Sequence, residues 1–193
     1  IESRGLGDVY KRQLDINGNV SLAAAVSLAT SGGTVDVSGT IDSGTANGDY
    51  DLTISSGAGS ITLHDAVGSA ANGEVGTFKV NAEGGTGTIS IEDIGGAAET
   101  LIGSEVTTTL TLTGTTYTTT DDAEYEGEGI VISGTNPTFT SNTKNIDFLD
   151  AAADKIKLGN SSNLTVNSTG AGNISFATDI IGSSGGAATD VTV

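Results

Sequence analysis

An all-β fold organised as a parallel β-helix (β-solenoid) is predicted from alternating apolar residues, a repeat period of about 27 residues, and abundant glycine and β-branched residues. The chain has 193 residues, with 29 Gly, one Pro and no Cys, Met or Trp. Thr, Val and Ile favour strands and Gly favours turns, so this mixture suits many short strands joined by tight corners. The length is sufficient for one domain with a sizeable core.

Internal repetition is the strongest signal for this fold. Three segments read as a strand, a Gly/Ser turn and a second strand: LTISSGAGSITL (Leu52–Leu63), FKVNAEGGTGTISI (Phe78–Ile91) and LTVNSTGAGNISF (Leu164–Phe176). The first strand of the pattern starts at Leu52 and again at Phe78, and it starts at Leu164 and again at Val191. Such a period is typical of solenoids and predicts coils of about 20–28 residues. Alternate side chains of each strand then face inward, while glycine occupies the corners.

The inward positions of these segments predict a core ladder. It comprises Leu52, Ile54, Ile61, Leu63, Phe78, Val80, Ile89, Ile91, Leu164, Val166, Ile174 and Phe176. Shorter strands are predicted between the repeats, at Thr34–Val37, Leu110–Thr113, Gly129–Ile132, Asn145–Phe148 and Lys155–Leu158. Ser21–Ala29 allows two helical turns, whereas a strand or turn is favoured over a helix for Phe148–Ile156.

The segment at residues 1–13, IESRGLGDVYKRQ, differs abruptly from the rest and holds Arg4, Lys11 and Arg12, which include both arginines of the chain. Its core, SRGLGDVYKRQ, resembles the translated remnant of a sequencing adapter. We therefore predict that residues 1–13 are a non-native leader and assign residues 14–193 to a β-solenoid repeat domain that is truncated at both ends. A native basic leader is the alternative interpretation.

The charge of the chain is strongly acidic. The formal net charge is −17 at pH 7, and only Lys79, Lys144, Lys155 and Lys157 are basic after Gln13. Such a surface repels nucleic acids and anionic membranes, so we expect neither nucleic-acid binding nor direct membrane insertion. The charge also favours disorder, but 36% hydrophobic residues in alternating runs argue for a folded chain.

His64 is the only histidine, and it follows a predicted strand immediately before Asp65. Its aligned positions in the other two repeats are Glu92 and Ala177, and no nucleophile accompanies it. An outward-facing turn residue is therefore favoured over a catalytic base.

The densest acidic run is DDAEYEGE, Asp121–Glu128, in which Glu124, Glu126 and Glu128 share one face if the chain is extended. Carboxylate oxygens suit calcium, which is the only cofactor that the sequence leaves open, but solvated turn charges explain the run better. The segment DINGN, residues 15–19, mimics half of an EF-hand loop, with its glycine misplaced.

Paired carboxylates such as Asp121 and Asp122 would suit a glycosidase or a lyase of the β-helix class. Those enzymes also grip sugar with basic and aromatic groups, and after Gln13 the chain has no Arg and no Trp. We therefore predict that the protein is not an enzyme, and we assign no catalytic, cofactor-binding or metal-binding residue.

A threonine-rich run, TTTLTLTGTTYTTT (Thr107–Thr120), consists mostly of threonine. Flat ladders of stacked Thr-x-Thr are one way in which β-solenoids bind ice, which requires the motif on the same face of several coils. The run lies in one local stretch and does not recur at the repeat period, so an ordinary β-branched strand surface is predicted. Five N-x-S/T sequons are predicted to be Asn and Thr stacking in turns; they begin at Asn19, Asn160, Asn163, Asn167 and Asn173.

Three longer phrases carry a family resemblance: GTIDSGTANGDYDLTISSGAGSITLHDAVG, TTLTLTGTTYTTTDDAEYEG and NLTVNSTGAGNISFATDIIG. They resemble the repeat region of filamentous-haemagglutinin-like giant bacterial exoproteins, over most of residues 34–193. The resemblance implies a right-handed coil, export to the extracellular space or cell surface, and a role as rigid stalk or adhesion surface. The partners it implies are neighbouring coils of the same parent protein and host or matrix carbohydrate or protein.

Two alternative functions follow from the same pattern. The first is an extracellular filament subunit that associates end to end through exposed strand edges. The second, less favoured, is a polysaccharide-active β-helix enzyme.

Overall fold

The computed structural model describes residues 13–44, 50–69, 73–82, 87–103, 109–150, 155–159, 162–182 and 190–193. Within these ranges every regular element is a β-strand, so the predicted all-β class is confirmed. No helix that could span a membrane is present in the same ranges. The predicted leader lies outside the described residues, apart from Gln13.

The strands are short and follow one another closely along the chain. The first ten are β1 (Leu14–Ile16), β2 (Val20–Leu22), β3 (Val26–Ala29), β4 (Val35–Val37), β5 (Ile41–Ser43), β6 (Leu52–Ser55), β7 (Ile61–Leu63), β8 (Val75–Asn81), β9 (Thr88–Ile91) and β10 (Ile94–Ile102). The others are β11 (Thr109–Leu112), β12 (Thr116–Thr119), β13 (Ala123–Gly127), β14 (Gly129–Ile132), β15 (Thr138–Ser141), β16 (Ile146–Asp150), β17 (Ile156–Leu158), β18 (Leu164–Ser168), β19 (Ile174–Phe176), β20 (Ile180–Gly182) and β21 (Val191–Thr192).

The strands stack in parallel on three faces of a β-solenoid. The first face is an eight-stranded sheet in the order β1-β4-β7-β9-β11-β14-β17-β20. The second face runs from β2 and β5, through bridges at Val67 and Ile94, to β12, β15, β18 and β21. The third face holds β3, β6, β8, β10, β13, β16 and β19, and the long β10 turns the corner between the second and third faces. The predicted parallel β-solenoid is therefore confirmed, while its right-handed sense stays a prediction.

Register along the first face gives the length of each coil. Leu14 pairs with Val35, Val35 with Ile61 and Ile61 with Ile89. These steps and the later ones on this face lie between about 20 and 28 residues, as expected for a solenoid. The predicted coil length is confirmed. The number of residues per coil varies because the corner segments differ in length. The strands remain paired from turn to turn.

Inward side chains form columns along the solenoid axis, as the alternation predicts. Ten of the twelve predicted core residues are fully buried. The other two, Ile174 and Phe176, are half-buried, because β19 is the outermost strand of its face among the described residues.

Aromatic side chains fill the later part of the core in two interlocking columns. Tyr117 stacks on Phe139 with ring centroids 4.4 Å apart, and Tyr125 stacks on Phe148 at 5.2 Å. Edge-to-face contact between Tyr125 and Phe139, at 5.2 Å, joins the columns. Desolvation by burial raises the pKa of both tyrosines above the usual range, so both stay neutral. The sequence contained these aromatics but did not reveal that they meet.

The third repeat segment lies on a different corner from the first two. Leu52–Leu63 runs from the third face to the first, and Phe78–Ile91 does the same, with Leu52 paired to Phe78 and Leu63 to Ile91. Leu164–Phe176 instead runs from the second face to the third, since Val166 pairs with Phe139 and Phe176 with Phe148. The sequence alignment of this third segment with the other two is therefore wrong, because it matched strands that lie on different faces. The two corners have the same sequence pattern of a strand, a Gly/Ser turn and a second strand.

The two helical turns allowed at Ser21–Ala29 are wrong. The segment forms β2 and β3, in which Val20 pairs with Ile41 and Val26 with Leu52. These neighbouring strands satisfy the backbone groups that a helix would have satisfied internally. Phe148–Ile156 contains the end of β16 and the start of β17, and residues 151–154 lie outside the described ranges. The five intermediate strands are confirmed as β4, β11, β14, β16 and β17, with small shifts at their ends.

Thr100 offers a test of core packing. Its side chain is fully buried between Phe78 and Ala123 of the neighbouring turns, and its Oγ1 has no hydrogen-bond partner among the described groups. Valine has the same shape without the hydroxyl, so we expect Thr100→Val to raise the free energy of unfolding by about 1–2 kcal/mol. Urea denaturation measures the change.

The matched control is Thr119→Val. Thr119 is equally buried, but its Oγ1 donates a hydrogen bond to the carbonyl oxygen of Asp121 at 3.2 Å. We expect Thr119→Val to lower the free energy of unfolding by about 1 kcal/mol, because it removes this hydrogen bond. A loss of stability in both variants would contradict the assignment of Thr100 as an unsatisfied group.

Candidate functional surfaces

Several acidic side chains at the corners bind the next turn of the solenoid. Asp93 Oδ1 accepts hydrogen bonds from the backbone N–H groups of Thr115 and Thr116, at 2.7 and 2.8 Å. Asp51 Oδ1 accepts from the N–H of Thr77 at 2.8 Å. These carboxylates satisfy amides that the sheets leave unpaired where the chain turns, so their role here is structural.

The predicted acid pair Asp121 and Asp122 is divided between two partners. Asp121 forms an ion pair with Lys144 at 3.5 Å, and Asp122 Oδ1 accepts a hydrogen bond from the N–H of Asn145 at 2.9 Å. In the ranges that the structure describes, no three side chains of His, Asp or Glu group together as they would around a metal ion.

Glu124 and Glu126 lie on the outer side of β13, as predicted for an extended run. Glu124 is in register with Asp147 of the next turn, which places two carboxylates side by side on the third face. Burial raises the pKa of Asp147 above its usual value, and the charge of Asp122 raises it further. The charged form of Asp147 is therefore disfavoured in the folded protein.

A pH-dependent stability follows from Asp147. Its folded-state pKa lies above its unfolded-state pKa, so the penalty is present at neutral pH and is relieved as the pH falls through the folded-state pKa. We expect Asp147→Asn to raise the melting temperature at neutral pH, and the gain to shrink at about pH 4. Thermal unfolding at the two pH values measures it. Asp121→Asn, which removes the ion pair with Lys144, is the control and should give no gain.

His64 projects from a turn, as predicted, with its side chain half exposed. Its Nε2 lies 3.3 Å from Oδ1 of Asp36 in the preceding turn, and Asp65 instead accepts a hydrogen bond from the backbone N–H of Ala66. The imagined His64–Asp65 pair is therefore not formed.

Of the two positions that the sequence aligned with His64, Glu92 is structurally equivalent to it and Ala177 is not. Glu92 follows Ile91 on the first face, as His64 follows Leu63. Ala177 lies on the third face, where its N–H donates to the carbonyl oxygen of Phe148. In that turn the residue equivalent to His64 is Gly159, which follows strand β17 on the first face.

Two of the five sequon asparagines, Asn163 and Asn173, stack on asparagines of the preceding turn, as predicted, whereas Asn167 lies within strand β18 rather than in a turn. Asn163 and Asn173 donate their backbone N–H groups to the Oδ1 atoms of Asn136 and Asn145, at 3.1 and 2.9 Å. In the EF-hand-like segment, Asn17 donates to Asp15, and Asn19 Oδ1 accepts from the N–H of Thr40. Asn160 lies outside the described residues.

Threonines do recur on one face of successive turns, contrary to the sequence prediction. Register on the second face places Thr116 beside Thr138, Thr138 beside Thr165, and Thr165 beside Thr192. A second column places Thr118 beside Thr140, and Thr140 beside Asn167. We call these seven positions the threonine array; they are Thr116, Thr118, Thr138, Thr140, Thr165, Asn167 and Thr192.

The array is assembled from separate stretches of the chain, and the threonine-rich run supplies only its first row. The step from Thr116 to Thr138 is shorter than the two later steps of the same column, so a search at one fixed period from the run fails. The other half of the run, around Thr111, lies in β11 on the first face. Thr107 and Thr108 are outside the described residues.

The array presents hydroxyls that the protein does not use. None of its six threonine hydroxyls makes a hydrogen bond to another group in the described part of the chain. Corner threonines behave differently: Thr113, Thr143 and Thr169 donate their hydroxyls to backbone carbonyls of the preceding turn, at 3.2, 3.0 and 2.7 Å. The array is therefore a surface of regularly placed groups open to an external partner.

A second surface feature is an open groove of about 350 Å³ at the corner between the third and first faces. Its lining is mostly glycine backbone, from Gly32, Gly33, Gly59 and Gly87, with the side chains of Thr34 and Ser60. Among the described residues, the lining holds no charged or aromatic side chain that would select a ligand.

No family model, no curated protein sequence and no solved structure matches this chain.

Proposed function

We propose that the chain is a structural and adhesive segment of a large secreted bacterial surface protein, in which it works as a rigid stalk or adhesion surface. The observation that carries this proposal is the eight-stranded parallel sheet that runs the length of the first face. Eight strands about 4.8 Å apart span about 34 Å along the axis. A parallel stack of this kind holds whatever it connects at a fixed distance.

The proposed mechanism is mechanical. Each turn is joined to the next by backbone hydrogen bonds on three faces, and its apolar side chains are buried only when a neighbouring turn covers them. Corner carboxylates and amides add side-chain bonds between turns, as Asp93 does to Thr115 and Thr116. Bending the stack would break hydrogen bonds of the sheets and expose core side chains at the same time. This cost supports the role of a stiff element.

The surface chemistry supports a solvated array whose corner acids have a structural use. A net charge of −17 keeps such an array soluble and away from anionic surfaces. Corner acids such as Asp51, Asp93 and Asp122 bind backbone amides, and this use is structural. We propose no cofactor and no catalytic residue.

Small-angle X-ray scattering across a concentration series tests the stalk, with and without calcium. We expect an elongated particle whose length does not change with concentration or calcium. A compact globule, or turnover of an acidic or neutral polysaccharide by the purified protein, would contradict the proposal.

An end-to-end filament is the second candidate. Among the described residues, the exposed large hydrophobic ones are Val191, in β21, and Val193, which directly follows it; β21 is the outermost described strand of the second face. Exposed edges of this kind invite pairing with another copy. Fibres that lengthen with concentration, and that Val191→Lys abolishes, would favour the filament over the stalk.

A further inference from the structure

We propose that the threonine array binds the surface of ice. The array lies on β12, β15, β18 and β21, which pair without a register shift. Threonines in one column are therefore about 4.8 Å apart, and the two threonines of one strand are about 6.7 Å apart. This grid is close to the spacings of oxygen atoms on faces of hexagonal ice, so a periodic ligand can contact every position at once.

The core beneath the array holds this grid rigid. Tyr117 and Phe139 point inward between the two threonine columns and stack face to face, with ring planes 9° apart. Threonine is β-branched, so each of the six array threonines has few rotamers to lose on binding. Binding to a solid lattice therefore costs little conformational entropy.

The chemistry of the array favours ice over other partners. Each threonine presents a methyl group and a hydroxyl that is not hydrogen-bonded within the described protein. No array position carries a charge, although the chain as a whole has a net charge of −17, so the array does not select metal ions or charged polymers.

Sugar polymers are disfavoured by the position of the aromatic side chains. Sugar-binding surfaces usually offer exposed rings for stacking, whereas Tyr117, Tyr125, Phe139 and Phe148 are all buried. The remaining class of ligand is a neutral lattice of hydroxyl-like groups that is flat like the array. Crystalline water is the ligand that matches this description.

The extent of the array is set by the sheet. Pairing of β10 with β12 is irregular between Ile94 and Ala97, and Gly95 and Gly96 lie within that irregular stretch. The regular grid therefore begins at Thr116. This inference does not depend on the stalk, because ice binding requires only the face of the folded chain.

Ice-affinity partitioning of the fluorescently labelled 193-residue chain tests the inference. A slowly growing ice surface should incorporate the wild-type protein and exclude an unrelated acidic protein. Thr140→Tyr places a bulky ring in the middle of the grid and should abolish most of the incorporation. The matched control is Thr111→Tyr, an outward position in mid-strand on the first face, which should leave incorporation unchanged.

Thermal unfolding of both tyrosine variants confirms that each is folded. If Thr140→Tyr fails to fold, Thr140→Val keeps the shape, removes the hydroxyl and should still reduce incorporation. Exclusion of the wild-type protein from ice, or equal incorporation of Thr140→Tyr and Thr111→Tyr, would overturn the proposal. The proposal would also be overturned if Thr140→Tyr lost self-association or cellulose binding while its incorporation into ice stayed unchanged. X-ray scattering of the same samples reports on the stalk separately.

Discussion

Phe139→Ala should lower the free energy of unfolding by about 3–5 kcal/mol, the largest loss that we expect from a side-chain truncation in this core. Phe139 is fully buried and contacts the rings of Tyr117, Tyr125 and Phe148. Its removal leaves a cavity between two aromatic columns that are held by the backbone of three turns. The sheets prevent the collapse that would otherwise offset part of the loss. Urea denaturation followed by circular dichroism measures the change.

The matched control is Phe176→Ala. Phe176 stacks on Phe148 with ring centroids 5.0 Å apart, but it is only half-buried at the outermost strand of the third face. Part of its ring already contacts solvent, so its truncation should cost clearly less than that of Phe139. Equal losses in the two variants would mean that the aromatic columns do not continue through the core as described.

Gly59→Ala is expected to destabilise the fold by about 3 kcal/mol or more, although it adds a single methyl group. A Cβ atom at Gly59 would lie far inside van der Waals contact with the carbonyl group of Gly33 in the preceding turn. A Cβ at Gly87 in the following turn would meet Gly59 in the same way. The corner can accept a side chain only if turns move apart, which breaks hydrogen bonds on both adjoining faces.

Ala58→Ser is the control for this corner. Ala58 is adjacent to Gly59 but exposed, so its replacement should change the free energy of unfolding by less than about 0.5 kcal/mol. A Gly59→Ala variant as stable as Ala58→Ser would show that the glycine column is not closely packed.

These predictions and the ice-binding proposal concern different parts of one molecule. Phe139 supports the array from inside, whereas Thr140 next to it points outward. We therefore expect Phe139→Ala to weaken ice binding through loss of a rigid grid, and Thr140→Tyr to weaken it while the fold keeps its stability. Comparing the two separates a structural contribution from direct contact with ice.

The sequence by itself determined the all-β class, the coil length and most of the core. Leu52, Ile54, Ile61 and Leu63 could be assigned to the interior, because alternation along a strand is a local property. The stacking of Asn163 and Asn173 in turns was also predicted, whereas Asn167 proved to lie in a strand. Glycine at the corners followed from composition, although the close approach of Gly33, Gly59 and Gly87 did not.

Only the tertiary structure decided which residues of different turns lie side by side. Both corners of the repeat use the same strand, turn and strand, so the pattern of Leu164–Phe176 did not reveal that this segment lies one face away from Leu52–Leu63. Register between parallel strands depends on corner lengths, and these vary without a local signal. The threonine array shows the consequence, because its rows at Thr116, Thr138 and Thr165 are separated by unequal steps and become one surface only when the strands pair.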